Sequence, residues 1–382
     1  MNIGIIGCGA RISGMVKKVL DFDMGVKLKA VADIDCENAR KRLENNKIAT
    51  DEIAFYTSAD EMLDSEKLDG VMIGTRCSLH TSMAIKVLSR NLPLFLEKPV
   101  ATNMEDLLKL KAAGAASKSP VVVSFPLRVT PLVKLAKEII GSGKLGSIEH
   151  VQAVNNVPYG GVYFHSWYRD ENETGGLFLQ KATHDFDYIN YLLGIKPVSV
   201  CAMTSKQIFR GDKPAGLYCK DCDEKLTCPE GPFVMKYVKN DVANGEQCSF
   251  AVDTGNEDSG SALIRYETGM HVAYSQNFFA RKKAASRGAR FLGYNGTLEF
   301  DWYKDELKVF MHNTSRVESY TFDSAKMSHG GGDNVLALNF IRIMQGREES
   351  VAPLDAGLLS ALMCLKARES ALTDTFQKIE WK

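Results

Sequence analysis

No stretch of the chain holds the roughly 18 consecutive apolar residues of a membrane-spanning helix. Neither sign of charge prevails: Lys plus Arg and Asp plus Glu each number 47, so the formal net charge is zero. Without a basic excess there is no general attraction for nucleic acid or anionic lipid, and neither is expected as a partner. The opening residues, MNIGIIGCGARISG, are apolar but lack a basic leader and are broken by glycine, so no signal peptide is expected. No internal repeat or low-complexity tract occurs. The nine cysteines are odd in number and mostly scattered in apolar contexts, as at Cys8 and Cys364. That suits free thiols in a reducing cytoplasm better than a disulfide framework, one local cluster aside.

What is present is ordinary in bulk, with 45% hydrophobic and 25% charged residues. A chain of 382 residues is too long for one ordinary core and suits two domains, expected at 1–125 and 126–382. In the first, short apolar runs (NIGIIG, KLKAVADID, GVMIGT, PLFLEKP, PVVVSF) alternate with helical stretches at 12–21, 36–46, 80–90 and 104–117. That rhythm predicts a parallel sheet wrapped by helices on both faces. Beyond 126, alternating segments joined by turns such as Thr268-Gly269 and Asn295-Gly296 predict a large, open, mostly antiparallel sheet. Helices at 130–143, 176–193, 334–344 and 356–372 are expected on one face of it, and loops at 210–260. The fold class is α/β followed by α+β.

GCGARI (7–12) follows the first strand and opens the first helix. Gly7 permits the turn, and Gly9 lets a pyrophosphate approach the helix N-terminus. Ile12 stands where the usual fingerprint has its third glycine. Asp33 ends the second strand about 20 residues on, where a carboxylate accepts hydrogen bonds from the ribose hydroxyls and repels a 2′-phosphate. NAD is therefore expected over NADP. The alternative for Asp33 is a cap on the helix that begins at Cys36.

In FLEKPVATN (95–103), Lys98 falls at the C-terminal end of a parallel strand, where open α/β sheets bind ligands. At this point the sequence resembles the glucose–fructose oxidoreductase / inositol dehydrogenase / MocA family. The likeness rests on GIIGCGARI, VADID, GTRCSLHTSMAIKVL, LEKPVA, GKLGSIEHV, GGLFLQKATHDFDYINYLLG, FLGYNGTLEF and HGGGDN, in family order over essentially the whole chain. It implies a Rossmann domain, a second domain on an open antiparallel sheet, homo-oligomers (dimer or tetramer) through that sheet, and hydride transfer between a nicotinamide and a sugar or cyclitol. It implies that Gly7, Gly9, Arg11 and Ile12 line the pyrophosphate turn and that Asp33 holds the adenosine ribose. Thr75, Arg76 and His80 would line the cofactor groove, with Glu97 and Lys98 beside the nicotinamide. Arg128 would face the substrate, Trp167 would approach the nicotinamide, and His184 matches the catalytic histidine.

In QKATHDFDYINYLL, helical spacing lets Lys181 and His184 point into one cleft. The family pattern has an aspartate four residues before the histidine, and this chain has Gln180. A nearby lysine lowers a histidine pKa, so His184 is expected to be neutral and to act as general base, with Lys98 stabilising the developing alkoxide. Lys181 and Asp185 are counted among the substrate-facing residues; the alternative is that they pair with each other at i,i+4. Of HGGGDN, Asp333 is expected to cap a helix and His329 lies near the cleft, while the basic run 281–290 reads as a solvated loop.

Cys219, Cys222 and Cys228 lie close together, and CxxC is a zinc-knuckle spacing. A closed site takes four ligands; Cys248 is a candidate fourth, a disulfide or free thiols the alternatives, and no metal is expected. Two other readings remain beside the dehydrogenase: a redox-neutral, NAD-dependent glycosidase of the same family, and a non-catalytic sensor of NAD or sugar.

Overall fold

Five apolar strands expected from the sequence, and one that was not, pair in parallel. They are β1 (Asn2–Ile6), β2 (Lys27–Ala32), β3 (Ala54–Tyr56), β4 (Gly70–Ile73), β5 (Leu94–Leu96) and β6 (Val121–Val123), ordered β3-β2-β1-β4-β5-β6. The computed structural model describes residues 1–242, 245–323 and 328–381. Helices α1 (Ala10–Asp21), α2 (Cys36–Asn45), α3 (Ala59–Ser65), α4 (His80–Leu88) and α5 (Met104–Ala116) alternate with the strands. Every side chain of β4 and β5 is buried, because helices cover both faces. Strand order reverses between β1 and β4, which makes the switch point where such sheets bind ligands.

The second part of the chain begins with α6 (Pro131–Gly141), capped by the Thr130 hydroxyl. Its strands are β7 (Ile148–Asn156), β8 (Pro197–Ser205), β9 (Ser259–Tyr266), β10 (His271–Asn277), β11 (Ser286–Gly293), β12 (Gly296–Asp301), β13 (Glu306–Met311), β14 (Val317–Thr321) and β15 (Gln377–Lys378). They form one sheet, ordered β14-β13-β12-β11-β7-β10-β9-β8-β15, antiparallel except where β7 meets β10. Its helices are α7 (Val162–His165), α8 (Glu171–Thr174), α9 (Thr183–Leu193), α10 (Pro232–Tyr237), α11 (Gly332–Met344) and α12 (Leu354–Thr373). Burial alternates along β9 and β10, as expected of a sheet with one face on helices and one toward water. α9 and α12 supply the helical layer.

The end of the chain returns to the first sheet. α11 lies along α1, Phe340 meets Phe95 edge to face at 5.8 Å, and the Val123 amide donates to the Ala352 carbonyl at 2.8 Å. One continuous apolar core therefore runs through both sheets, with a smaller cluster around Phe164, Phe209 and Phe278 beside it. No described helix is long and apolar enough to cross a membrane.

Candidate active site between the two sheets

The first half of the site is a cradle for a dinucleotide. Gly7 has φ +76°, and a Cβ there would stand 2.5 Å from the Thr75 methyl carbon, so the turn admits only glycine. α1 starts at Gly9 with no side-chain cap and no acidic residue in its first turn, which leaves its amides and the positive end of its dipole for an anion. Ile12 does not break this arrangement. Gly74, at the end of β4, supplies the close packing instead: a Cβ at Gly74 would lie 2.4 Å from the Ile12 Cβ. Asp33 is fixed by the amides of Cys8 (2.7 Å) and Asp35 (2.9 Å). The cap of α2 is Asp35, which accepts from the Asn38 amide, so Asp33 is not needed for capping. Ile34 beside it is 94% exposed. These features fit a bound NAD.

Three residues expected at the cofactor are engaged otherwise. The Arg11 guanidinium is held by both oxygens of Asp333 (2.9 and 2.6 Å), by Glu97 (3.1 Å) and by Ser124 (3.2 Å). It bolts α1 to α11 and is not left for a pyrophosphate, and Glu97, 6% exposed, spends its charge on that ion pair. The buried His80 ring sits 2.7 Å from the Pro99 carbonyl and 3.2 Å from that of Thr75. It braces the groove from beneath, and burial pushes its pKa down. Asp333 is the second residue of α11, whose N-cap position is Gly331; besides Arg11 it holds His329 at 3.0 Å. Arg76 is exposed and lies 3.8 Å over the half-buried Trp167 ring, which stacks on Tyr168.

Lys98 makes the connection to the second half. It leaves β5 ahead of a cis peptide to Pro99, and its Nζ donates to the Gln180 main-chain carbonyl at 2.9 Å. Burial first, then the charge of Lys181, bring its pKa down to about 8. The Gln180 side chain, where the family has aspartate, is buried and donates to Cys77 and to the Thr174 carbonyl.

The helix that carries the histidine departs from the expected regular form. Gly175 and Gly176 turn at positive φ, the Glu257 carboxylate accepts both the Leu177 and Phe178 amides at 2.9 Å, and Phe178–Ala182 forms one π-helical turn before α9. Wide turns of this kind re-aim side chains at functional sites. Lys181, 6% exposed, donates to the Tyr159 hydroxyl at 2.7 Å. His184 stands edge to face with Phe125, and its Nδ1 is buried without a hydrogen-bond partner. Burial, then Lys98, Arg287, His329 and Lys181, push its pKa well below the ordinary value. The ring is neutral, as expected, but the charges of Lys98, Arg287 and Lys181 oppose its taking a proton.

Asp185 and Arg128 are engaged in buried ion pairs. Asp185 is fully buried and accepts from Asn155 (2.8 Å), Tyr274 (2.9 Å) and Arg287 (2.9 Å), and so does not pair with Lys181. The basic run 281–290 is accordingly not all solvated. Arg128 is 7% exposed and forms an ion pair with Asp187.

All nine cysteines are free. A β-bridge between Tyr218 and Gln247 brings the strand of Cys219 beside that of Cys248. Among the described residues, no group of three or more His, Cys, Asp or Glu is arranged to hold a metal ion. Sequence reasoning missed Tyr159, Glu257 and Arg287, whose partners lie 22, 80 and 102 residues away; no local spacing reveals them.

A separate concavity of about 750 Å³ lies on the water-facing side of the large sheet, lined among others by Met203, Leu263 and Lys308. None of the cleft residues borders it.

Residues 1–125 match the family model described as oxidoreductase family, NAD-binding Rossmann fold, and residues 133–299 match the GFO/IDH/MocA C-terminal domain. The YteT protein of Bacillus subtilis is 27% identical over 317 residues, 72% of this chain and 73% of its own. The rhizopine catabolism protein MocA of Rhizobium meliloti is 26% identical over 55% of this chain and 62% of its own length, and inositol 2-dehydrogenase 2 of Saccharopolyspora erythraea 25% over 54% and 58%. The alignments thus span less than two thirds of the latter two relatives. Levoglucosan dehydrogenase, solved with NADH and levoglucosan, has the same fold, with a TM-score of 0.78 at 19% identity over 99% of both chains.

Proposed function

We propose, for a chain that belongs to the Gfo/Idh/MocA oxidoreductase family and carries its NAD-binding Rossmann domain, hydride transfer between the nicotinamide and a secondary alcohol of a sugar, sugar derivative or cyclitol. One observation carries the reading: the Lys98 ammonium from the first sheet is bonded at 2.9 Å to the main chain one turn ahead of His184. The two polar groups thus share the cleft beside the dinucleotide cradle. When bound, NAD supplies the hydride acceptor. Gly7, Gly9 and the first turn of α1 hold its phosphates and Asp33 a ribose. Lys98 places a positive charge where the substrate oxygen becomes an alkoxide. Neutral His184, whose Nδ1 is sealed in the protein interior, would accept a hydrogen bond from the substrate hydroxyl through Nε2 and so orient the carbon. Incubation with NAD⁺ and a panel of sugars, sugar acids and inositols is expected to accumulate NADH. Cleavage of a glycoside with no net NADH would instead establish the redox-neutral glycosidase.

Cofactor choice is expected to turn on Asp33. Asp33→Asn removes the charge that repels a 2′-phosphate and weakens a charge-assisted hydrogen bond to the ribose. The ratio of kcat/KM for NAD⁺ over NADP⁺ should fall about 10–100-fold. An unchanged ratio would detach Asp33 from the ribose.

The reading also carries self-association through the large sheet. Its open face exposes Met203 (72%) and Leu263 (52%), and joined apolar patches on a soluble domain mark interaction surfaces. Light scattering is expected to give a multiple of 42.2 kDa, reduced by Leu263→Asp; a monomeric parent protein overturns this.

A further inference from the structure

The strongest unassigned group in the cleft is the phenol of Tyr159. It follows β7 in a loop held from both sides. The Val157 amide donates to the Asn277 carbonyl (2.9 Å) and the Gly160 amide to the Val157 carbonyl (3.2 Å). A Cβ at Gly160 would stand 2.0 Å from the Phe278 carbonyl oxygen, so the loop is wedged against β10 and the phenol has a fixed place. Tyr159 is 46% exposed, whereas its partner Lys181, 2.7 Å from its hydroxyl, is 6% exposed. The exposure belongs to the residue as a whole; its hydroxyl lies inward, against an ammonium sealed over the rings of both Tyr159 and Tyr163.

We infer that Tyr159 is the acid–base catalyst of the reaction proposed above, with Lys181 as the positioning residue that stabilises its phenolate. The inference rests on that reading of the site. Oxidation of an alcohol releases two things. The C–H electron pair and its hydrogen leave as hydride for the nicotinamide, while the O–H electrons form the carbonyl and the proton passes to the Tyr159 oxygen. In reduction the Tyr159 hydroxyl returns that proton to the substrate oxygen.

The choice among the groups of the cleft is physical. A good base holds its proton near the working pH. Charging His184 would set a cation among Lys98, Arg287, His329 and Lys181. Lys98 must keep its proton to stabilise an alkoxide. The groups that face Tyr159 are Lys181 from the π-turn, Arg287 from β11, Lys98 after β5, and the phenols of Tyr163, Tyr168 and Tyr303. The three cations outweigh desolvation and bring the Tyr159 pKa down to about 8. Burial pushes the other three phenols up, Tyr168 and Tyr303 to about 12. The phenolate is thus stabilised at one tyrosine of this group only.

The test begins without cofactor or substrate. Near-ultraviolet absorbance of phenolate, followed against pH, is expected to show one tyrosine ionising near 8. The step should vanish in Tyr159→Phe, move to higher pH in Lys181→Met and be restored in Lys181→Arg, in proteins whose melting temperatures show them folded. In the NAD-loaded enzyme, kcat for oxidation should rise with pH up to about 8, and Tyr159→Phe should lower it about 100-fold or more with unchanged NAD affinity. A titration in which no tyrosine ionises early overturns the assignment. So does a working dehydrogenase whose Tyr159→Phe variant keeps the parent's kcat and pH profile. A parent protein that oxidises no alcohol but shows the early phenol would overturn the function proposed above and leave the stabilised phenolate standing.

Discussion

Lys98→Met is expected to lower kcat by about 10²–10³-fold while leaving the affinity for NAD almost unchanged, because it removes a charge that matters only once negative charge forms on the substrate oxygen. The ammonium sits where β5 ends, at the ligand-binding edge of the parallel sheet, and bonds to the Gln180 carbonyl from across the cleft. The pH dependence has a definite sign. The working form is the ammonium, whose pKa is brought down to about 8 by burial and by Lys181. Activity that depends on it therefore declines as pH rises through that value. Tyr159 imposes the opposite limb, since its phenolate is gained on the way up. The two together predict a narrow maximum near 8 for alcohol oxidation, reporting the cleft as a coupled unit. Lys98→Met should flatten the descending limb and Tyr159→Phe the rising one.

The same substitution makes a prediction about stability. A lysine whose folded pKa lies below its unfolded value disfavours the native state while it is charged, and this penalty fades between about 8 and 10.5 as both forms lose the proton. Partial exposure of Lys98 to cleft water moderates the effect. Below pH 8 Lys98→Met should thus melt no lower than the parent protein. Loss of activity with retained or raised melting temperature is the pattern of a residue kept for chemistry at the expense of stability. A variant that loses both would make Lys98 a structural residue.

How far the site was legible follows the range of its interactions. Parallel strands such as GVMI are buried on both faces and declare themselves as apolar runs, and Asp33 and Lys98 could be placed because each ends such a run. AFY of β3 has three half-buried residues, and VESYT of β14 is largely exposed, too little periodicity to stand out. The i,i+4 rule suggested Lys181 with Asp185, but the π-helical turn shifts the phase of the chain, and each finds a partner from another element. The family's substrate-facing arginine position, applied to Arg128, overlooks what only the fold reveals: an acid 59 residues later that takes the charge.

That pair predicts the largest loss of stability. Arg128 meets Asp187 through two contacts of 3.0 Å, with side-chain exposures of 8% and 2%, and its remaining nitrogen donates to the Val351 carbonyl at 3.1 Å. Arg128→Met would leave the Asp187 carboxylate buried and unpaired, at a cost of about 3–5 kcal/mol. Burial already raises the Asp187 carboxyl to about 7 against the pull of Arg128. A raised carboxyl binds its proton more tightly in the native state, so the stability it contributes is present in acid and is lost as pH rises through that value. Without the guanidinium the rise is steeper, and the deficit of Arg128→Met should therefore shrink on acidification, when Asp187 takes up a proton. Adding Asp187→Leu should recover most of the loss, since an apolar pair of similar volume replaces a buried ion pair at little cost. Urea unfolding of the four proteins of this cycle at two pH values provides the measurement. The folded fraction of each variant should keep the parent's KM for substrate. A stable Arg128→Met protein with a raised KM would return this arginine to the substrate, where the family likeness had put it.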